Sequence, residues 1–284
     1  MQKTPSVLIE ECQLLRRQGY SLDEIVRVTG VPRTTVYGYI AHIRLSLERQ
    51  SAIKIAATKR INEFNITFRK GKCIPGRVVP KPEGWNDELL FVTSHLMFDG
   101  EIASHGCVYN NRSVSLIQRF QDSMKEVFQL IPMRVIKNEK TGVYRVSYHY
   151  VELADYVREK AGVLKKYIKT ASLREKRVFL QAFFDDEGCV TCAKRGKRIV
   201  RGFQHNTEIL ELVQKLLKDF GIASRVDEKY QEIVISRKEN LAKFRDEVNF
   251  SKGVYINPER TNSIWKKKLE KRKLLDIAIN SFER

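Results

Sequence analysis

Two acidic residues give the first chemical hint in this 284-residue chain. Asp99 stands before Gly100 and Glu187 before Gly188, and each pair closes an apolar run that begins near Glu88 or Val178. The two glycines lie 88 positions apart. An acid followed by glycine after an apolar helix is a common helix stop. Two such stops in register, each followed by the same order of elements, indicate an internal repeat. If the two helices pack together, small side chains are needed where they cross, and Ser94 and Ala182 occupy equivalent positions. Both helices then deliver a carboxylate to one end of their interface, where mutual repulsion calls for a divalent cation. The expected metal set is Asp99, Glu187, Gly100 and Gly188, and the expected ion is Mg²⁺, which retains waters and can activate one as a nucleophile.

The elements that would position these acids follow each motif in parallel. After Gly100 come a strand over Glu101 to Tyr109, then Asn110-Asn111, then a helix with Leu116, Ile117 and Phe120 that ends near Phe128. After Gly188 come strands from Cys189 to Phe203, then His205-Asn206, then a helix with Ile209, Leu210 and Leu217 that ends at Phe220. An alternating stretch follows in each copy, from Val143 and from Glu232, and reads as a strand. Each copy closes with a short helix, around Leu153 to Lys160 and Leu241 to Val248. The order helix-β-β-helix-β-β-helix therefore occurs twice.

These motifs, above all the tract from Leu180 to Gly253, resemble the LAGLIDADG homing endonucleases in their single-chain, two-motif form. The resemblance spans about residues 86–255. It implies two pseudo-symmetric αββαββα repeats of α+β class and a saddle of strands in the DNA major groove. It also implies that Asp99 and Glu187 are catalytic, each serving one strand in a Mg²⁺-dependent phosphodiester hydrolysis. Two departures stand out. Phe98 occupies a position that the family usually fills with a small residue, with Asp186 as its counterpart. The family's Gln-Lys pair falls here on Gln204-His205 and on Tyr109-Asn110, so its lysine is missing from both copies. His205 would partly replace that charge, whereas Asn110 would not.

Charge points the same way. Lys and Arg number 52 against 34 Asp and Glu, a net charge of +18, while 42% hydrophobic residues indicate a folded chain. A basic folded chain suits a polyanionic partner, here double-stranded DNA. No run approaches the ~18 apolar residues that span a bilayer. Met1 to Ile9 lacks a secretory layout, and five scattered cysteines suit a reducing compartment. The expected location is intracellular, cytoplasmic and nucleoid-associated, with no membrane partner.

Before the repeats, Val7, Leu8, Cys12 and Leu15 mark a helix that closes at Gly19. Ser21 and Glu24 form a capping box for a second helix, with Ile25 and Val28 facing inward. Gly30 makes a turn into a third helix from Arg33 to about Leu45, with Val36 and Ile40 buried. The stretch from Ser21 to Tyr37 resembles the helix-turn-helix of recombinase and resolvase DNA-binding domains. Arg33, Thr34, Thr35 and Tyr37 would reach bases and phosphates. A basic helix from Leu45 to Phe68, which could extend the third helix, leads into a Pro/Gly-rich linker.

The expected plan is a helix-turn-helix domain over 1–50, a connector over 51–85, repeats over 86–168 and 169–255, and a basic C-terminal helix over 256–284 that includes Trp265 to Lys273. On the saddle, Lys194, Arg195, Lys197, Arg198 and Arg201 would touch phosphate, joined by Gln204 and His205. His95, inside an apolar helix, reads as a satisfied core residue. Cys189 and Cys192 lie three apart on a strand and point to opposite faces, so they do not form a metal pair. Two functions fit this plan, and both act as a monomer with internal pseudo-two-fold symmetry. One is a sequence-specific endonuclease, and the other is a non-cleaving transcriptional regulator that reuses the same fold.

Overall fold

A computed structural model of the protein describes residues 5–69, 79–192, 197–258 and 265–283. The chain divides into two compact units, Met1–Arg77 and Val78–Arg284. Among the described residues no helix is long and apolar enough to cross a membrane.

The first unit contains α1 (Pro5–Arg17), α2 (Leu22–Thr29), α3 (Arg33–Ile40) and α4 (Leu47–Arg69). Its small core joins Cys12, Ile25, Val31, Val36 and Ile40. Ser21 caps α2 through the Glu24 amide, and the Glu24 carboxylate accepts from the Ser21 amide at 2.7 Å. Gly30 ends α2 in the left-handed region at φ 71°, which lacks a Cβ penalty only for glycine. Val28 is 58% exposed rather than inward. The buried stripe runs through Leu22, Ile25 and Val26, and Val28 is rotated to its flank.

α3 stops at Ile40, short of Leu45, and α4 is a separate helix rather than its extension. The sequence of α3 carries a glycine and four β-branched residues in its span, so little propensity drives it onward. α4 is tied back by Arg49, which donates to the Gly19 carbonyl at 2.8 Å and to the Glu24 carboxylate at 2.9 Å. The capping carboxylate of α2 thus also docks α4.

The second unit runs α5 (Asp87–Phe98), β1 (Gly100–Ala103), β2 (Gly106–Asn111), α6 (Val114–Phe128), β3 (Arg134–Lys137), β4 (Tyr144–Tyr148) and α7 (Val151–Tyr167). The order then recurs as α8 (Leu173–Glu187), β5 (Gly188–Cys192), β6 (Arg198–Phe203), α9 (Thr207–Asp219), β7 (Ser224–Asp227), β8 (Glu232–Ser236) and α10 (Lys238–Glu247). The two antiparallel sheets have matching orders, β1-β2-β4-β3 and β5-β6-β8-β7. The fold is α+β, with two pseudo-symmetric αββαββα repeats preceded by an all-helical region.

Three details differ from the sequence pattern. The single strand over Glu101 to Tyr109 is a tight β1–β2 hairpin in which Ala103 faces Gly106, and a side chain at Gly106 would run into the backbone of Tyr148 and His149 at the end of β4. Edge strand β3 is exposed throughout, so no alternating pattern marks it. The C-terminal helix is α11 (Lys271–Asn280) and not the lysine-rich stretch before it. Its Leu274, Leu275, Ala278 and Ile279 complete the core of the second repeat, so an apolar stripe decides its position.

α5 and α8 pack against each other, and Ser94 and Ala182 are buried within them. Each helix passes straight into a strand at its glycine. A Cβ on Gly100 would overlap the backbone of Leu96, and one on Gly188 the backbone of Phe184. That clash explains why glycine must follow each acid. Gly100→Ala and Gly188→Ala should each lower stability by ~1–3 kcal/mol, the usual cost of forcing a tight site apart. Urea denaturation of the purified variants measures this, and an unchanged midpoint would remove the close-approach argument.

Candidate functional site

Asp99 forms the C-terminal cap of α5 and Glu187 is the last residue of α8. Asp99 Oδ2 accepts from Asn111 Nδ2 at 3.3 Å, and the same Nδ2 donates to Asp186 Oδ1 at 3.0 Å. Asp186 also accepts from the Tyr109 hydroxyl at 2.9 Å and meets His95 Nδ1 at 2.7 Å. Residues of both helices and of β2 therefore converge on one polar cluster. His95 is not the satisfied core residue that its apolar helix suggested. Its Nδ1 is engaged by Asp186 and Tyr109, while its buried Nε2 finds no partner among the described residues. Glu187 accepts no hydrogen bond among the described residues and lines a pocket with Phe203, Gln204, His205, Tyr230 and Gln231.

Burial dominates the electrostatics. It pushes Asp99 up to about 7, reinforced by the neighbouring Asp186 charge. It pushes Glu187 up to about 7 as well, reinforced by Asp99 and then Asp186. Asp185 rises to about 6 by burial, restrained by Lys271 and by its bond to Ser251. Burial also raises Asp186 and lowers His95 to about 4, so both shifts favour uncharged forms.

Sequence reasoning missed Lys271. Its ammonium, buried against the site, donates to the Asp185 carbonyl at 2.8 Å and the Phe184 carbonyl at 3.2 Å. Both lie in the last turn of α8, where the Phe184 carbonyl also accepts from the Gly188 cap amide and the Asp185 carbonyl is among those left over at a helix end. A cation there also opposes the negative helix end. The available signal was the apolar stripe Leu274, Leu275 and Ala278 directly after Lys271, which separates it from the solvated lysines before it.

Strand register also corrects the comparison of the two repeats. Gly100 pairs with Tyr109 and Gly188 with Gly202, so Tyr109 matches Gly202. Counting on, Asn111 matches Gln204 and Arg112 matches His205. Position Asn110 is therefore not the counterpart of His205, and one copy does carry a cation there. Phe98 does not cover the acids, because its ring packs edge-on against Phe179 and Phe183 at 5.4 and 5.3 Å.

The remaining sequence candidates are dispersed. Arg33, Thr34 and Tyr37 are exposed on α3 and Thr35 is half-buried. Arg33 pairs with Asp23 at 2.8 Å. Lys194 and Arg195 lie outside the described residues. Lys197 is exposed, whereas Arg198 is turned to the Ser281 carbonyl at 2.8 Å. Arg201 pairs with Glu232 at 3.3 Å, and His205 Nδ1 meets the Gln231 side-chain oxygen at 2.6 Å. Cys189 is half-buried and Cys192 buried on β5.

The donor set suits a hard divalent cation, with Asp99 and Glu187 raised by burial and by neighbouring carboxylates, and a backbone turn at Gly100 and Gly188. Among the described residues no group of three or more His, Cys, Asp or Glu is arranged to hold a metal. A Mg²⁺-type ion needs only one or two carboxylates when substrate phosphate and water fill the other positions.

Comparison with known proteins gives a partial match. Residues 174–249 match the family model for a LAGLIDADG-like domain. Among curated proteins, a replication factor C small subunit of Thermococcus kodakarensis is 31% identical over 194 residues, which is 64% of this chain and 21% of that protein. Its counterpart from Methanocaldococcus jannaschii is 27% identical over 62% of this chain and 10% of its own length. The chain thus spans about a fifth and a tenth of these relatives. Among solved structures, mesophilic variants of the homing endonuclease I-DmoI align with 57% of this chain and 88% of theirs, at 19% identity and TM-score 0.44. The N-terminal LAGLIDADG domain of DUF199/WhiA aligns with 60% of this chain and 87% of its own, at 18% identity and TM-score 0.46.

The raised carboxylates set a pH dependence. Asp99 and Glu187 hold protons in the folded chain up to about 7, above the range where unfolded acids lose theirs. Their contribution to stability therefore falls as pH rises from ~4 to 7, following proton linkage. A bound divalent cation reverses that loss, since it requires the deprotonated forms. Added Mn²⁺ should raise the thermal midpoint at pH 8 and have little effect at pH 5, as read by scanning calorimetry. An equal rise at both values would contradict the assignment.

Proposed function

We propose that this chain, which carries a LAGLIDADG-like domain over residues 174–249, is a sequence-specific DNA-binding endonuclease that hydrolyses both strands of a long duplex target with a divalent cation, Mg²⁺ in the cell. One observation carries this reading. Two matched helices end in Asp99 and Glu187, and burial, reinforced by neighbouring carboxylates, leaves both acids poised near neutral pH. A clash-tight glycine after each acid fixes its direction.

When bound, the cation supplies an activated water and neutralises charge at the scissile phosphate. The chain's own groups supply the rest. Asn111 holds the Asp99 carboxylate by its Nδ2, and Lys271 braces the last carbonyls of α8 beneath Glu187. Arg112 and His205 stand at matching strand ends near the two acids, where the Arg112 guanidinium favours the charge that develops on phosphate and the His205 ring can hydrogen-bond it. Gln231 holds the His205 ring by Nδ1, which leaves Nε2 for the cleft. Lys197 and Arg201 on the second sheet, with the net charge of +18, attract the duplex and track its phosphates. The α3 residues Arg33, Thr34, Thr35 and Tyr37 lengthen the recognised site from a separate unit. Both acids come from one chain, so a monomer suffices, and the protein works inside the cell on nucleoid DNA.

The decisive experiment incubates a randomised supercoiled plasmid library with Mg²⁺ and the wild type, Asp99→Asn or Glu187→Gln. The wild type should give linear product at defined sites, and each single variant should nick one strand and lose linear product by at least ~100-fold. A wild type that binds specific duplex yet leaves it intact would show instead a non-cleaving regulator. Arg33→Ala should weaken selected-duplex binding by ~1–3 kcal/mol in a gel-shift titration. Unchanged affinity would remove α3 from the interface.

A further inference from the structure

We infer that Asp186, with His95, Tyr109 and Asn111, is a positioning relay through which the second repeat orients the metal-binding acid of the first. The inference rests on the cleavage reading for Asp99 and concerns how that carboxylate is held.

The relay is continuous. His95 Nδ1 and the Tyr109 hydroxyl fix the two oxygens of Asp186 at 2.7 and 2.9 Å. Asn111 Nδ2 then bridges Asp186 Oδ1 at 3.0 Å and Asp99 Oδ2 at 3.3 Å. The Asn111 side chain is itself fixed, because its Oδ1 accepts from the Ser113 amide at 2.9 Å. His95, Tyr109 and the Asp186 side chain are fully buried. Their rotamers are locked by packing, as an orienting group requires.

The fold does not demand the carboxyl, imidazole and phenol, as their counterparts across the pseudo-two-fold show. The 88-residue offset that matches Gly100 to Gly188 pairs Asp186 with Phe98 and His95 with Phe183. Strand register pairs Tyr109 with Gly202. Only Asn111 has a polar counterpart, Gln204. On the other side of the pseudo-two-fold the counterparts of Asp186, His95 and Tyr109 therefore form an apolar set, with the Phe183 ring of the second repeat resting against Gly202 and the Phe98 ring of the first. A buried carboxyl, imidazole and phenol replace that set on one side only. The two acids consequently stand in unlike settings, with Asp99 tethered and Glu187 without a hydrogen-bond partner among the described residues. The half-sites are unequal, and the strand served by Asp99 depends on a residue from the opposite repeat.

The test uses the full chain carrying Asn111→Leu, Asp186→Ala, Asp186→Asn or Tyr109→Phe. One readout is strand-resolved nicking of a selected duplex in Mg²⁺, with Asp99→Asn and Glu187→Gln identifying which acid serves which strand. The other is Mn²⁺ affinity without DNA, by electron paramagnetic resonance. Asn111→Leu and Asp186→Ala should slow the Asp99 strand 10–100-fold and weaken one Mn²⁺ event similarly, the usual effect of losing an outer partner. The Glu187 strand should stay within ~3-fold. Asp186→Asn, which keeps acceptors for Tyr109 and Asn111, should recover most of the loss. If both strands slow together, or neither slows and Mn²⁺ affinity is unchanged, the relay is refuted while cleavage stands. If the wild type binds Mn²⁺ but cuts no DNA, cleavage fails and the Mn²⁺ arm alone decides the relay. A wild type that neither cuts nor binds Mn²⁺ overturns both. Should Asp186→Ala not fold, Asn111→Leu at its half-buried position carries the test.

Discussion

Packing α5 against α8 forces several carboxyl groups to share one poorly solvated end of an interface, and much of the second unit answers to that constraint. Asp99, Asp185, Asp186 and Glu187 all rise above their ordinary range because burial penalises their charge. The chain relieves this with neutral donors, namely Asn111, Tyr109 and the Ser251 amide, and with the buried ammonium of Lys271. A fully neutralised cluster would have no use for a cation. Here Asp99 and Glu187 stay under-compensated, which is the state in which a metal ion is most strongly attracted.

The glycines belong to the same problem. Gly100 and Gly188 let each helix break directly into a strand, so the acid leaves the helix at its last residue rather than through a loop. A loop would add freedom exactly where two carboxylates must keep a fixed relation, and loops give less precise sites than rigid elements. The antiparallel sheets that follow then fix the register of β2 and β6, and with it the side chains that face the acids.

Much of this arrangement was legible in the sequence, since acid–glycine pairs and apolar helices repeat with local, periodic signatures. The capping box at Ser21 and Glu24 was equally local. What escaped were features set by tertiary contact. Lys271 carried the look of a solvated charge run, and beyond the apolar stripe that follows it, its docking against the carbonyls of α8 sets it apart from Lys266 to Lys268. His95 sat in an apolar helix, and its partner Asp186 is 91 residues away, beyond any window of periodicity. The Arg112–His205 equivalence required strand register, because spacing alone slipped the comparison by two positions. Exposed β3 has no buried face and so left no alternating trace.

The support for α8 also has a temporal side. The acids near the middle of the chain are synthesised long before Lys271, and the apolar residues that seat α11 come later still. A growing polypeptide therefore carries the acidic cluster without the Lys271 counter-charge until α11 has left the ribosome. Assembly of this centre therefore waits on α11, and a chain that has not yet made that helix holds the acids with their scaffold unfinished.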